Sequence, residues 1–172
     1  METTKTRRSI ASSKTSGAVW YVLAAVRILI GLEFLWAFAD KAFGLTFSTA
    51  PENAWIAGGS PTFGYLSAER TLQDVFQPLA DSVLVEWLFM LGLLGVGVGL
   101  TFGIAVRLSA IAGALMLLFM WLAAFPIATH PFINYNLVQA IVVLVFPLTL
   151  AHQRLSLAGP WRKLTRGSGW IQ

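Results

Sequence analysis

Hydrophobic residues run in long unbroken stretches along this chain, without the short alternation typical of water-soluble elements. A helix needs roughly 20 apolar residues to cross the ~30 Å hydrocarbon core of a bilayer. Four windows of this kind contain few charges: Gly17 to Phe38, Val83 to Val106, Leu108 to Ala128 and Phe132 to Ala151. The pattern therefore predicts an all-α integral membrane protein, a four-helix bundle in which Pro147 kinks or ends the last helix near its final turn.

Composition supports a membrane protein and limits its chemistry. Of the 172 residues, 56% are hydrophobic and 12% are charged, which is about half the charged fraction of an ordinary soluble domain. The chain has no cysteine, which excludes disulfides, thiolate metal sites and iron–sulfur clusters on its own side chains. Any electron chemistry must use a bound cofactor or a partner protein.

Lysine and arginine cluster on one side of the predicted spans. They precede the first span, occupy the second connection and follow the fourth span: Lys5, Arg7, Arg8, Lys14, Arg107, Arg154, Arg162, Lys163 and Arg166. Because basic flanks stay in the cytoplasm, we expect cytoplasmic tails at residues 1–16 and 152–172 around a transmembrane domain at 17–151. This bias accounts for the net charge of +4, so nucleic acid is not an expected partner, whereas membrane lipid is.

The connection between the first two spans, residues 46–82, is long and changes in composition. Residues 51–65 are rich in glycine and proline, which predicts ordered turns or a shallow re-entrant cap. Leu72, Val75, Phe76 and Leu79 then follow at helical spacing. This spacing predicts a short interfacial helix over the outer mouth of the bundle, and a surface loop with accidental periodicity is the alternative.

Glycines on the second span predict a close helix contact. Gly95, Gly99 and Gly103 form a double GxxxG row, and small residues let helix backbones approach closely in lipid. The row favours packing within the bundle, with an oligomer contact as the alternative.

Ionisable and amide residues near the spans are the candidates for a substrate-binding site, because such groups are costly in lipid. They are Arg27, Glu33, Asp40, Lys41, Glu86, His130, Asn134 and Asn136. All except Arg27 are expected in the outer half of the membrane. Arg27 and Glu33 differ by about 9 Å in height and about 120° in azimuth, so each is expected to have another partner.

Structural roles are the alternatives for these residues. Arg27 is a candidate for snorkelling to the inner headgroups, and Glu33 and Glu86 for buried hydrogen-bonded packing. His130 and His152 lie about 33 Å apart at opposite ends of the fourth span, so they cannot hold one haem or metal ion together. We expect no metal site and assign no catalytic residue.

The first span also resembles the DoxX/DoxD family of small bacterial membrane proteins. The family pattern Arg-xxx-Gly-xx-Phe-xx-small-xxx-Lys is matched by Arg27, Gly31, Phe34, Ala37 and Lys41, and the similarity continues at 34–41, 54–62 and 87–95. It covers about residues 20 to 155. The resemblance implies a four-helix bundle in the bacterial inner (plasma) membrane, working as the membrane subunit of a thiosulfate:quinone oxidoreductase. It also implies a membrane quinone as cofactor and redox proteins as partners.

One departure from the family pattern keeps other functions open. Relatives commonly carry Asn-Pro-x-x-Asp-Asp-His before the last helix, whereas residues 130–136 read His-Pro-Phe-Ile-Asn-Tyr-Asn. In a quinone-reactive subunit, Glu33, Asp40 or Glu86 would accept protons, and Lys41 or Arg27 would polarise a carbonyl. A non-catalytic scaffold for a redox-stress complex and a small solute carrier are the alternatives, so enzyme status stays open.

Overall fold

A computed structural model describes residues 2–128 and 130–165, with side chains from residue 17 onward. Within these residues the chain is helical and has no strand. The α-helices are α1 (Glu2–Phe43), α2 (Phe63–Leu66), α3 (Gln73–Ala80), α4 (Val83–Phe102), α5 (Val106–Ala123), α6 (Tyr135–Val143) and α7 (Ala158–Leu164). Short 3-10 helices lie at Pro51–Asn53, Trp55–Ala57 and Phe146–His152.

Four helical segments are long and apolar enough to cross a membrane: Gly17–Phe43, Val83–Phe102, Val106–Ala123 and Tyr135–His152. This confirms the predicted all-α four-helix membrane bundle. The boundaries differ from the prediction at several ends. The first span continues past Phe38 to Phe43, and the second stops at Phe102 because Gly103 takes a left-handed conformation with φ of 67°.

The two predicted tails contain regular structure. The first helix begins at Glu2, so the predicted tail at 1–16 is continuous with the first span. Within the predicted tail at 152–172, residues 158–164 form α7. Arg166 and the residues after it lie outside the described part of the chain.

Pro147 changes the fourth span earlier than predicted. The α-helix ends at Val143, and the span continues as the 3-10 helix Phe146–His152 with Pro147 at its start. Proline lacks an N–H group and its ring clashes with the carbonyl of the preceding turn, so α-helical hydrogen bonds cannot run through it. Because a 3-10 helix rises more per residue than an α-helix, the segment still spans the bundle.

The core lies where four helices meet. A Cβ on Gly113 of α5 would come within 4 Å of Phe34 of α1, Val96 of α4 and Val143 of α6. Helix α1 packs most extensively on α4, and α5 packs between α4 and α6. Phe34, Val96, Gly113 and Val143 therefore lie at one height in the bundle, and the heights of other residues can be counted from them in helical turns.

Glycines outside the predicted row let α1 approach α4. A Cβ on Gly31 would lie 2.5 Å from the backbone nitrogen of Thr101, and one on Gly97 would lie 2.9 Å from that of Leu35. Neither position could carry a larger residue without moving a helix backbone.

The predicted GxxxG row is divided between different roles. Gly99 packs against the hydroxyl of Ser109 on α5, and Gly103 ends α4. Gly95 is exposed, and a Cβ there would meet no atom within 4 Å. The row therefore does not form one continuous interface inside the bundle.

The long connection folds as the sequence predicted. Its glycine- and proline-rich part forms ordered turns that bury Ala54 and Thr62. The predicted short amphipathic helix is α3, which buries Phe76 and Ala80 and leaves Val75 exposed.

The bundle has two distinct ends. Trp20 stacks on His152 with ring centroids 4.4 Å apart, so the first span begins beside the end of the fourth. We call this the terminal end, because the first span begins here and the fourth span ends here. The opposite end carries residues 44–82 and is the loop end.

Candidate functional site

Asp40, near the end of α1, organises the start of the loop. Its carboxylate accepts hydrogen bonds from the backbone N–H groups of Phe47 (3.1 Å) and Ser48 (2.9 Å), and from the Ser48 hydroxyl (2.6 Å). Asp40 is only 1% exposed. Its oxygens are therefore engaged in shaping the loop, which makes Asp40 a structural residue of the candidate site.

Two side chains that the sequence analysis did not single out tie the loop to the end of α5. The Tyr65 hydroxyl donates to the Met120 carbonyl (2.8 Å), and Arg70 donates to the Ala123 carbonyl (2.8 Å). The Arg70 guanidinium also lies 4.6 Å from the centre of the Tyr65 ring. Carbonyls at a helix C-terminus lack intrahelical donors, and a cation is favourable there. A lone arginine within an acidic loop was the available signal in the sequence.

Two adjoining cavities lie between this loop and the bundle. The larger, about 560 Å³, is lined by polar groups that include Ser48, Thr49, Asn53 and Ser60; we call it the polar vestibule. The smaller, about 310 Å³, lies among α3, α4 and α5 and is lined by apolar side chains that include Phe76, Leu88, Phe89, Met116 and Phe119. We call it the apolar pocket.

The polar vestibule and the apolar pocket meet at shared side chains, which are Lys41, Pro61 and Tyr65. Lys41 is half-buried, and among the described residues its ammonium donates no hydrogen bond. The junction therefore offers a cation between a polar compartment and an apolar one.

Asn136 of α6 lies at the level of Lys41. Phe34 and Val143 both face Gly113; Lys41 follows Phe34 by seven residues, and Asn136 precedes Val143 by seven. Seven residues make about two turns of helix, so Lys41 shares a face of α1 with Phe34, and Asn136 shares a face of α6 with Val143. Lys41 and Asn136 each lie about 10 Å closer to the loop end than those residues. Asn136 is 2% exposed, and its Oδ1 has no hydrogen-bond partner. A buried acceptor without a partner is uncommon and needs an explanation.

The same two-turn step identifies the wall of the apolar pocket. Phe89 of α4 lies two turns from Val96, and Met120 of α5 lies two turns from Gly113. Both side chains line that pocket. The helix layer that contains Asn136 is therefore one of the layers that border the pocket.

Glu33 takes part in a different contact. Gln139 of α6 donates a hydrogen bond of 2.6 Å from Nε2 to Glu33 Oε2. Glu33 is exposed on the bundle surface and lines neither cavity. The contact links α1 to α6, so Glu33 is not brought together with Lys41.

Arg27 lies far from the loop end, inside the terminal end of the bundle. It is 2% exposed, and its guanidinium donates to the backbone carbonyls of Leu100, Thr101 (3.4 Å), Arg154 (3.2 Å) and Leu155 (2.8 Å). The snorkelling alternative is therefore wrong, because the side chain turns into the protein. The prediction that Arg27 and Glu33 have separate partners is confirmed.

Three other candidates are not part of the junction. His130 Nδ1 accepts from the backbone N–H groups two and three residues later, both at 3.1 Å, as in a turn. Asn134 caps α6 by accepting from the N–H three residues later at 3.2 Å. Glu86 lies half-buried in the first turn of α4 and lines neither cavity. Of the eight candidates, Lys41 is the one that lines the two cavities, and Asn136 lies at its level without lining either.

In the part of the chain that the structure describes, no three His, Cys, Asp or Glu side chains are grouped to hold a metal ion. No protein-family model, curated protein or solved structure matches this chain. The resemblance to the DoxX/DoxD family therefore stays a prediction.

Proposed function

We propose that this chain is a DoxX-like membrane subunit that binds a membrane quinone at its loop end and takes part in thiosulfate:quinone oxidoreductase-type electron transfer. The observation that carries the proposal is the junction at Lys41 between the polar vestibule and the apolar pocket. A quinone joins a polar ring bearing two carbonyl groups to a long apolar tail, so its two parts suit the two cavities.

Each part of the ligand has matching protein groups. The Lys41 ammonium would donate to a ring carbonyl and stabilise the negative charge that develops on its oxygen during reduction. The tail would enter from the bilayer between α4 and α5, where the pocket side chains Leu88 and Phe119 are 71% and 60% exposed. A ligand that arrives from lipid could thus reach Lys41 without passing through water.

Electrons and protons must come from outside the pocket. Reduction to the quinol adds two electrons and two protons, and a chain without cysteine supplies no thiol for this step. A redox partner protein would provide the electrons. Glu33, Asp40 and Glu86, predicted as proton acceptors, line neither cavity, so protons would reach the ring through water in the polar vestibule.

The proposal includes an orientation in the bacterial inner membrane. Arg107, Arg154, Arg162 and Lys163 flank the spans at the terminal end, and basic flanks stay in the cytoplasm. Both termini would then be cytoplasmic, and the polar vestibule would open on the opposite side.

A non-catalytic scaffold for a redox complex is the second candidate. The observation that favours it is the use of His130 and Asn134 in turn and helix capping. Both side chains accept hydrogen bonds from backbone N–H groups. They lie in the segment where proteins of the DoxX/DoxD type carry titratable residues.

Quinone titration of the purified full-length chain tests the proposal. A short-tailed quinone is added in detergent, and binding is followed by tryptophan fluorescence, since Trp55 and Trp87 lie 4.7 Å apart near the loop end. We expect saturable binding that weakens at least about tenfold in Lys41→Met, the loss of one charge-assisted hydrogen bond, and persists in Lys41→Arg.

Glu33→Gln is the matched control, because Glu33 lies on the same helix but outside both cavities. Equal melting temperatures would show that each variant folds. Absence of saturable binding, or binding that is the same in Lys41→Met and the unmodified chain, would contradict the proposal and leave the scaffold as the better account.

A further inference from the structure

The segment after the fourth span is held at the membrane boundary. The backbone N–H of Leu157 donates to the carbonyl of Phe102, the last residue of α4, at 2.8 Å. Arg27 Nη2 donates to the carbonyls of Arg154 and Leu155 just before it. Because α4 is a membrane-crossing helix, its last residue marks the edge of the bilayer, and α7 begins at that edge.

Leucine side chains in this segment are exposed although they lie at the membrane edge. Leu155, Leu157 and Leu164 are 62%, 52% and 76% exposed. Leu157, the residue before α7, and Leu164, its last residue, are seven residues or about two turns apart, which places them on the same side of this short segment. Within the described residues this apolar face has no protein cover, and at the edge of a bilayer acyl chains are the apolar phase within reach.

Basic side chains lie beside this apolar face. Lys163 is exposed in the last turn of α7, about 100° around the helix from Leu164, whereas Arg162 is exposed about 160° away, on the opposite face. Arg154 is exposed and lies over the Tyr21 ring, 5.8 Å from its centre. The sequence contains no acidic residue after Glu86, so no later carboxylate neutralises these cations.

We propose that residues 154–164 form a docking surface for anionic lipid in the leaflet at the terminal end. Leu157 and Leu164 enter the acyl-chain region, while Arg154 and Lys163 contact lipid phosphates. The combination of apolar face, basic flank and attachment at the bilayer edge selects a lipid surface over a soluble partner. This surface lies at the opposite end from the quinone site and does not depend on it.

Spin labels on the full-length chain test the depth of α7. The natural chain has no cysteine, so Leu164→Cys provides a single attachment point for a nitroxide. Gly159→Cys is the matched control, because a Cβ there meets no atom within 4 Å and it lies about 140° from Leu164 around the helix. The protein is reconstituted in phosphatidylcholine vesicles and in mixtures of phosphatidylcholine with phosphatidylglycerol.

Collisions with oxygen and with a water-soluble nickel complex report the depth of each label. We expect the label at 164 to be accessible to oxygen and shielded from nickel, and the label at 159 to be accessible to nickel. The fraction of protein in which α7 is docked on the bilayer should rise with the phosphatidylglycerol content of the vesicles. Since one basic residue at an anionic surface strengthens attraction about fivefold, Lys163→Gln should lower the ratio of docked to undocked α7 about fivefold, and Arg162→Gln should lower it less.

Two results would overturn the inference. One is equal nickel accessibility at 164 and 159. The other is an unchanged depth at 164 between the two vesicle types, which would mean that the charge of the lipid has no role.

Discussion

The guanidinium of Arg27 and the backbone carbonyl of Leu155, 128 residues later, are joined by a hydrogen bond of 2.8 Å. The same guanidinium binds the Leu100 and Thr101 carbonyls at the end of α4. One buried side chain thus connects the first span, the second span and the segment that leads into α7. An arginine suits this position because helix C-terminal carbonyls need donors and favour a cation.

Replacing Arg27 with Met should destabilise the protein by about 2 to 4 kcal/mol, because buried carbonyls lose charged donors. Thermal unfolding in detergent measures the loss, and the nitroxide at position 164 should become mobile. The exposed residue Arg162 is the control, and Arg162→Gln should change stability by less than about 0.5 kcal/mol. An unaltered melting temperature in Arg27→Met would argue against the connecting role.

Alanine at Gly31 and at Gly95 should have opposite consequences. The new methyl at Gly31 would meet the Thr101 backbone, which we expect to cost about 1 to 3 kcal/mol through overpacking. At Gly95 the methyl has open space, so alanine should be neutral or stabilising by up to about 1 kcal/mol. Thermal unfolding of both variants measures this. Similar losses would mean that Gly95 also lies in a tight contact.

Loss of the Asp40 carboxylate should disorder the start of the loop. Asp40→Ala removes the acceptor of two backbone N–H groups and one hydroxyl, with an expected cost of about 1 to 3 kcal/mol. Hydrogen exchange at the amides of Phe47 and Ser48 should accelerate, while exchange in α5 stays slow. Asp40→Asn retains one acceptor oxygen, so its amide exchange rates should lie between those of Asp40→Ala and those of the unmodified chain. Unchanged exchange in Asp40→Ala would contradict the capping role.

Asn136→Leu separates structural from ligand-binding roles. The Oδ1 atom is buried without a partner, so its removal should leave stability unchanged or raise it by about 1 kcal/mol. Asn136 lines neither cavity, so quinol affinity should stay within about twofold of that of the unmodified chain. Anaerobic quinol titration and thermal unfolding measure the two effects.

Asn134→Ala is the contrast for that experiment. Since Asn134 caps α6, its loss should cost about 1 kcal/mol without changing quinol affinity. Weaker quinol binding in either variant would show that the placement of α6 influences the site.

Much of the architecture follows from the sequence because a bilayer demands apolar segments of fixed length. The four spans were predicted on this basis, and the short helix α3 was predicted from the spacing of Phe76 and its neighbours. Helical geometry also separated Arg27 from Glu33 correctly. The ends of spans were less predictable. A proline breaks an α-helix but does not fix how far before it the break begins, and here the α-helix ends at Val143.

The binding junction itself depends on tertiary structure. The sequence places several polar residues near the outer boundary. In the structure, the side chains of Asp40, His130 and Asn134 accept hydrogen bonds from backbone N–H groups, and Glu33 accepts one from Gln139 of α6. Lys41 borders two cavities that the loop forms with the bundle, and Tyr65 and Arg70 hold that loop on the end of α5. Hydropathy is a property of each residue and can be read locally. The partner of a polar side chain depends on helix rotation and loop path, which packing between distant segments decides.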